Sequence, residues 1–323
     1  MANTAEIVWR LQKLDARNII KLIKNKLWKR EKLRRFAFPA LVFGIFAIST
    51  GAIFARLSDA PPLATAAYRL TIASLILTPF AFVYKRREIA RLDRKDLIYT
   101  FSAGALLAVH FGAWISSLSY TSVASSVVLV NTIPIWVGLA AFLMGEKLSK
   151  LMWMALILSI IGGFLVGYGD FSLAPRALWG DCLALVGGMA VSGYVILGRR
   201  VRQKLSLLTY ISLCYGTAAV FLCITSLLLG VKMSGFSTYT WLIFLGIAIV
   251  PQLFGHSCYN WALKYTSAEF IAVALLGEPI GSSILAFFMF DELPTPIMFL
   301  GFAVLMSAIV ISVKGEQKEG KVA

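Results

Sequence analysis

Apolar and polar residues alternate in long blocks along this chain rather than position by position. From Phe36 onward, apolar runs of about 20 residues are separated by short polar joints. A helix of about 20 residues spans the hydrocarbon core of a bilayer, whereas membrane strands would need alternating polarity in a closed barrel. The pattern therefore predicts ten transmembrane helices, at residues 36–57, 64–84, 97–119, 122–144, 151–169, 178–197, 207–230, 240–263, 266–290 and 296–313.

Two of the apolar runs are copies of each other. Residues 120–148 and 265–293 align without a gap at a constant offset of 145, with ten identical positions. Each copy carries a proline, Pro134 or Pro279, which is expected to break its helix because proline has no amide hydrogen to donate. Five runs precede the joint at 170–177 and five follow it, so the second half is expected to insert upside down. The predicted fold is an all-α integral membrane protein with ten transmembrane helices in two inverted five-helix repeats.

Composition and charge placement agree with a membrane protein. The chain is 59% hydrophobic and only 15% charged, whereas a soluble domain has about 25% charged residues. Of its 31 Lys and Arg residues, 27 fall on one side of the predicted topology and three, Arg56, Arg176 and Lys232, on the other. Because basic residues concentrate in the cytoplasm, both termini are predicted to be cytoplasmic. The net charge of +15 is thereby assigned to lipid headgroups rather than to nucleic acid.

The chain divides into four predicted regions. Residues 1–35 form a basic amphipathic extension suited to anionic lipid headgroups, with a solvated tail or a transit peptide as alternatives. The first five-helix repeat covers 36–169 and the second covers 178–313. Residues 314–323 are expected to be a cytoplasmic tail.

Several motifs resemble those of the EamA family in the drug/metabolite transporter superfamily. The fourth and ninth runs end in MGEKLS and FDELP, and residues 180–200 read GDCLALVGGMAVSGYVILGRR. The resemblance covers residues 36–313. It implies transport by alternating access through a central cavity lined mainly by helices 1, 3, 4, 6, 8 and 9. The expected substrate is a small organic solute, with amino acids or related metabolites first and nucleoside-containing metabolites or cationic drugs as alternatives. A bacterial inner membrane is the expected location.

Glu278 is the sharpest candidate functional residue, because it is a carboxylate in the middle of an apolar run. Ionisable groups inside a membrane are costly and mark substrate or proton paths. The neighbouring Pro279 disturbs the helix, so Glu278 can accept bonds from freed amides, bind a cation or exchange a proton. A purely structural hinge explains the Glu-Pro pair equally well.

Other polar and aromatic residues of the expected cavity helices are candidates for substrate contact, although packing explains each of them too. Histidine and asparagine offer directional hydrogen bonds, and aromatic rings stack on planar or cationic ligands. These candidates are His110, His256, Trp114, Tyr259, Asn131 and Asn260. Arg69, near the outer end of the second run, is expected to extend its head toward the interface, with attraction of an anionic substrate as the alternative. Glu269 is expected to reach the opposite interface or to pair with Lys264.

No enzyme, cofactor or metal motif stands out in the sequence. The four cysteines lack metal-ligand spacing, and no phosphate-binding loop is present. Concentrating transport would therefore depend on an ion gradient, and an intramembrane enzyme is a remote alternative. The expected partners are the lipid bilayer and a small-molecule substrate, and the sequence allows a homodimer.

Overall fold

A computed structural model describes residues 36–169 and 174–318 of the chain. The basic extension at 1–35 and the last five residues lie outside this range. Across the described residues the secondary structure is helical, without strands, and ten helices are long and apolar enough to span a membrane. The predicted number of spans is therefore confirmed. The helices are α1 (Phe36–Leu57), α2 (Pro62–Tyr84), α3 (Arg94–Ser117), α4 (Val123–Leu143), α5 (Lys150–Tyr168), α6 (Pro175–Arg202), α7 (Leu207–Leu228), α8 (Thr238–Ala262), α9 (Ala268–Phe290) and α10 (Pro296–Lys318).

Several helices extend beyond the apolar runs that predicted them. α6 begins at Pro175 and continues through Arg202, beyond the expected 178–197. α10 continues to Lys318, so residues 314–318 of the expected tail are helical. Hydropathy marks only the part of a helix that lies in hydrocarbon, whereas backbone hydrogen bonds continue into the polar layer.

α4 and α9 are each divided into two half-helices. α4 consists of Val123–Val130 (α4a) and Ile133–Leu143 (α4b). α9 consists of Ala268–Ala274 (α9a) and Gly277–Phe290 (α9b). Pro134 and Pro279 lie in the first turn of the second half-helix, where the missing amide hydrogen is tolerated. The two interruptions therefore fall at matching positions of the two sequence copies.

α8 contains a π-helical segment in its centre. Residues Ala248–His256 form the wider π turn, with α-helix on both sides. Pro251 lies inside this segment, where its ring would clash with the preceding turn of a regular α-helix. The wider turn accommodates the proline and rotates the following residues, Gln252 and His256, into the protein interior, where both are buried.

The helices pack closely where glycine allows it. The most extensive helix pairs are α3 with α6, α5 with α10, and α2 with α7. Gly104 of α3 is one such site, because a Cβ atom there would lie 2.6 Å from Thr217 Cβ of α7. Large apolar side chains such as Phe46, Leu228 and Phe288 remain at least 70% exposed on the outside of the bundle. In a membrane these side chains face lipid.

Charged residues join the two halves at the predicted cytoplasmic end. Lys204, between α6 and α7, lies 2.9 Å from Asp96 Oδ1 and 3.5 Å from Asp93 Oδ2. The Asp96 amide donates to the Asp93 side chain and so holds the pKa of Asp93 below its ordinary value. The bond to Asp96 in turn raises the pKa of Lys204. This stabilisation is lost as pH falls through the Asp93 pKa or rises through the Lys204 pKa, and it is small because both residues are exposed.

Glu316 ties the end of α10 to the start of α9. Its carboxylate oxygens accept from the Ser267 amide at 2.7 Å and from the Ser267 hydroxyl at 2.5 Å, while Ser267 caps α9a by accepting from the Phe270 amide. A carboxylate at a helix N-terminus also complements the helix dipole. Glu316 is fully buried, so the first residues of the expected tail are part of the helix packing.

Candidate substrate site

A small enclosed cavity lies in the centre of the bundle, beside the interruptions of α4 and α9. Its volume is about 20 Å³, which is close to the space that one water molecule needs. Six of the seven polar and aromatic candidates line it, as does Arg69. The lining consists of Ile48, Arg69, His110, Trp114, Val130, Asn131, Ile133, Val191, His256, Tyr259, Leu275 and Glu278.

Glu278 and Asn131 reach the cavity from the two interrupted helices. Asn131 follows α4a, and its Nδ2 donates to Glu278 Oε2 at 3.2 Å and to the Val127 carbonyl at 2.9 Å. Glu278 lies in the first turn of α9b, where the positive end of the helix dipole favours a negative charge. The interruptions therefore place a carboxylate and an amide together at the cavity wall.

His110 and Trp114 lie four residues apart on α3 and so face the same side of the helix. Their rings stack with centroids 5.8 Å apart and planes within 8°. His110 Nδ1 lies 3.0 Å from the carbonyl oxygen of Gly187 on α6. Because a carbonyl can only accept, Nδ1 carries the hydrogen, and in the neutral ring Nε2 is left as an acceptor.

α8 contributes His256 and Tyr259 from the end of the π segment. The Tyr259 hydroxyl and His256 Nδ1 share a hydrogen bond of 2.6 Å. The ring centroids of His256 and His110 are 6.4 Å apart. At the repeat offset of 145, His110 corresponds to Gly255, the neighbour of His256, and the two histidines are also close neighbours in the structure.

Asn260 is the one candidate that does not reach the cavity. Its Nδ2 donates to the Tyr194 hydroxyl at 2.5 Å and to the His256 carbonyl at 2.7 Å. Asn260 is fully buried behind the lining residues. The structure thus gives it the surroundings of a packing residue that supports His256.

The prediction that Arg69 extends toward the interface is wrong. Its side chain is only 1% exposed and turns into the bundle. The Nε atom donates to Gln252 Oε1 at 2.7 Å, and the guanidinium carbon lies 3.9 Å from the ring centroid of Phe111. These partners come from α8 and α3, and their position depends on helix packing rather than on sequence distance. α2 is therefore a cavity helix in addition to the six that the resemblance implied.

Three nitrogen atoms around Arg69 have no hydrogen-bond partner within the part of the chain that the structure describes. They are Arg69 Nη1, Trp114 Nε1 and Gln252 Nε2, and all three are buried. Buried donors without partners are uncommon in proteins and point to a missing group. The described residues also contain no cluster of His, Cys, Asp and Glu side chains that could hold a metal ion.

The family model for EamA-like transporters matches residues 35–168 and again residues 178–314. The chain belongs to the EamA-like transporter family. An uncharacterized transporter of Archaeoglobus fulgidus is 25% identical over 86% of this chain and 96% of its own length. The uncharacterized inner membrane transporter YedA of Escherichia coli K12 is 22% identical over 79% of this chain and 83% of its own. A protein of known crystal structure shares the fold, with a TM-score of 0.66 at 19% identity over 87% of this chain and 98% of the other.

Family membership identifies this EamA-like protein as a multi-pass membrane transporter and points away from an enzyme. Each of its two matched ranges contains one of the two helices that a proline-bearing break divides, α4 in the first and α9 in the second. The central cavity lies between those interruptions and is lined by six of the seven candidate side chains.

Two larger polar cavities lie at the ends of the helices of this EamA-like protein. The cavity at the predicted outer end measures about 440 Å³ and is lined by residues including Arg56, Arg176 and Glu292. The cavity at the predicted cytoplasmic end measures about 320 Å³, and Arg200 and Glu269 are among its lining residues. Glu269 is only 5% exposed and lines this cavity at the cytoplasmic end.

A fourth cavity, of about 720 Å³, is predominantly apolar and lies between α4, α5, α6, α9 and α10. Its wall includes Phe164 and Tyr168, which are exposed on the outside of the bundle. Apolar walls that open to the side suit lipid acyl chains better than a polar solute. The polar central cavity is therefore the better candidate for the substrate site of this transporter.

Gln252 is the residue of this site that sequence reasoning missed, whereas Arg69 was considered but assigned first to the interface. Gln252 follows Pro251 directly, just as Glu278 precedes Pro279. A polar residue beside a proline within an apolar run is thus a signal that could have identified Gln252.

Proposed function

We propose that this protein transports a small organic solute by alternating access, with amino acids or related metabolites as the leading substrate class. The observation that carries the proposal is the convergence of costly polar side chains on one enclosed cavity. Glu278, Arg69, His110 and His256 come from four different helices. Burying ionisable groups in a membrane protein is unfavourable, so such residues usually serve a function.

The proposed path runs through the three polar cavities. The central cavity is too small for an organic solute, so the helices must move apart on one side to admit it. The outer and cytoplasmic cavities are the two mouths that open in turn. Half-helices can tilt about an interruption without breaking a continuous hydrogen-bond ladder, so α4 and α9 are the proposed moving elements.

A ligand screen followed by a flux measurement tests the proposal. Purified protein in detergent would be heated with amino acids, nucleosides or organic cations, since a ligand at about 100 times its Kd stabilises the folded state by about 2.7 kcal/mol. Ligands that raise the Tm would be tested for counterflow in proteoliposomes, with protein-free liposomes as the control. Amino acids are expected to raise the Tm and to exchange.

Two outcomes would contradict different parts of the proposal. Counterflow of nucleosides or organic cations, but not of amino acids, would show that the substrate class is wrong and leave alternating access in place. Absence of counterflow for every ligand that raises the Tm would contradict transport of a small organic solute.

A further inference from the structure

We infer that Arg69 binds the carboxylate of a zwitterionic solute while Glu278 binds its ammonium group. The inference rests on the proposed function and deepens it, because it assigns the two charges of the substrate to two residues. Arg69 and Glu278 line the same central cavity. No salt bridge of 4.0 Å or less joins them among the ion pairs of the described residues.

Arg69 has no anion in direct contact. The negative charge that acts on it is that of Glu278, which lines the same cavity without forming an ion pair with it. The hydrogen-bond partner of Arg69, Gln252, is neutral, and Arg69 Nη1 has no partner within the described residues. A buried cation without a directly paired counter-ion is unfavourable. The indole nitrogen of Trp114, on the same cavity wall, also lacks an acceptor. One carboxylate from the solute would supply acceptors to both side chains.

Arg69 is also held in a fixed orientation before any ligand binds. Gln252 accepts from its Nε, and Phe111 stacks beneath the guanidinium at 3.9 Å. A guanidinium fixed in this way keeps its unpartnered Nη1 in place as a donor, and guanidinium groups are suited to carboxylates because they can donate two parallel hydrogen bonds. Little side-chain entropy is then lost on binding, which favours affinity.

Glu278 provides the opposite charge on the same cavity wall. Asn131 donates to one of its oxygens at 3.2 Å, and a carboxylate can accept further hydrogen bonds at both oxygens. Trp114 and Tyr259, whose ring faces favour cations, line the same cavity. An ammonium group of the solute is therefore the expected partner of Glu278.

Selectivity follows from having both charges in one cavity. A simple organic acid would satisfy Arg69 but would meet the Glu278 carboxylate, and a simple amine would satisfy Glu278 but meet Arg69. Like charges brought together in an interface cost several kcal/mol, so each single-charge ligand is rejected. The wall also has an apolar part, which includes Ile48, Val191 and Leu275, so the inferred substrate is an amino acid with an apolar side chain.

Three ligands that share the leucine side chain but differ in their charged groups test the inference in wild-type protein. L-leucine carries both charges, 3-methylbutylamine lacks the carboxylate, and 4-methylpentanoate lacks the amine. Binding in detergent and counterflow in proteoliposomes would be measured for each. L-leucine is expected to bind about 30-fold or more tightly than either analogue, because each analogue leaves one buried charge unpaired.

The variants Arg69→Gln and Glu278→Gln separate recognition from a general structural role. Arg69→Gln is expected to weaken the binding of L-leucine about 30-fold while leaving the affinity for 3-methylbutylamine almost unchanged or improved. Glu278→Gln is also expected to weaken the binding of L-leucine, but to leave the affinity for 4-methylpentanoate almost unchanged. Arg69→Lys, which keeps the charge, should restore part of the L-leucine affinity. Should Arg69→Gln fail to fold, Trp114→Phe removes one hydrogen-bond donor without changing the charge. It should weaken the binding of the two ligands that carry a carboxylate, L-leucine and 4-methylpentanoate, and not that of 3-methylbutylamine.

The outcomes that overturn the inference differ from those that overturn the proposed function. Equal weakening of L-leucine and 3-methylbutylamine by Arg69→Gln would overturn the inference, as would wild-type binding of the amine as tight as that of L-leucine. Wild-type protein that moves none of the three ligands, nor any solute of the wider screen, would instead overturn the proposed function and the inference with it.

Discussion

Gly188 shows how the absence of one side chain shapes the candidate site. It lies on α6 opposite the interruption of α4, where Pro134 cannot donate to the Val130 carbonyl. A Cβ atom at Gly188 would lie 2.8 Å from that carbonyl oxygen and 2.9 Å from Thr132 Oγ1. Only glycine lets α6 approach the exposed end of α4a this closely. The interruption is thereby held against α6, next to the cavity.

Replacing Gly188 with alanine is therefore expected to destabilise the protein by about 1–3 kcal/mol, the usual effect of overpacking. Gly163 of α5 is the matched control, because a Cβ atom there has no neighbour within 4 Å. Alanine at Gly163 should be neutral or stabilise by about 0.5–1 kcal/mol through helix preference. Thermal unfolding of both variants in one detergent checks the prediction. A Tm of Gly188→Ala equal to or above that of Gly163→Ala would contradict it.

At the residue scale, the sequence predicted most of the site but not its charge balance. Glu278, His110 and His256 were identifiable because polar groups are rare in apolar runs. Arg69 was misplaced because the side chain of an arginine near a helix end can either extend toward the interface or turn into the bundle. The outcome depends on partners from α3 and α8. Those partners become neighbours only after the helices pack.

At the scale of elements, Glu292 connects three segments at the predicted outer mouth. Its Oε1 lies 3.1 Å from Arg56 Nη1 at the end of α1, and its Oε2 accepts from the Val123 amide at the start of α4a at 3.2 Å. Glu292 itself follows α9. The contact therefore holds together the outer ends of helices that line the central cavity.

Weakening this contact is expected to favour opening of the outer mouth. The Arg56 and Glu292 side chains are 35% and 23% exposed, and a partly exposed pair contributes about 0–1 kcal/mol. Glu292→Gln should therefore raise the open population by at most about 5-fold. Labelling of Thr121→Cys by a membrane-impermeant maleimide, with the four native cysteines replaced, would report it.

Lys232→Gln is the matched control for Glu292→Gln, because Lys232 is a predicted outer charge that does not line the outer cavity. It should leave the labelling rate unchanged, whereas high salt should mimic Glu292→Gln by screening the ion pair. Unchanged labelling in Glu292→Gln would show that the contact does not hold the mouth closed.

The interrupted helices were predictable as elements, but the π segment of α8 was not. Pro134 and Pro279 stand at matching positions of a visible repeat, and each lies at the start of a half-helix. Pro251 has the same chemistry, yet its effect is a wider turn rather than a break. Which response a proline produces depends on whether neighbouring helices leave room for the wider turn, and that is a property of packing.

At the scale of the whole molecule, the two mouths are built from matching parts. The outer cavity is lined by the end of α1, the joint before α4, the start of α6 and a residue after α9. The cytoplasmic cavity is lined by the end of α6, the start of α9, part of α4 and a residue after α4. Exchange of the first five helices with the second five relates α1 to α6 and α4 to α9 in these two linings, whereas the start of α6 has no counterpart in the cytoplasmic cavity. This correspondence supports the prediction that the two repeats are inverted, and it would make the two open states similar in energy.

Inversion of the repeats and the shared side of both termini both follow from five spans in each half, and the basic residues then assign that side to the cytoplasm. Ten spans return the chain to its starting side, and basic residues number 27 on that side against three on the other. Green fluorescent protein fused after Ala323 should fluoresce, because it folds only in the cytoplasm, and alkaline phosphatase fused there should be inactive. Alkaline phosphatase fused after Lys232, in the α7–α8 joint, should be active because that joint is predicted to lie outside. The opposite pattern at only one fusion point would require a different number of spans and would contradict the inverted repeats. The opposite pattern at both points would reverse the predicted orientation while leaving the repeats inverted relative to each other.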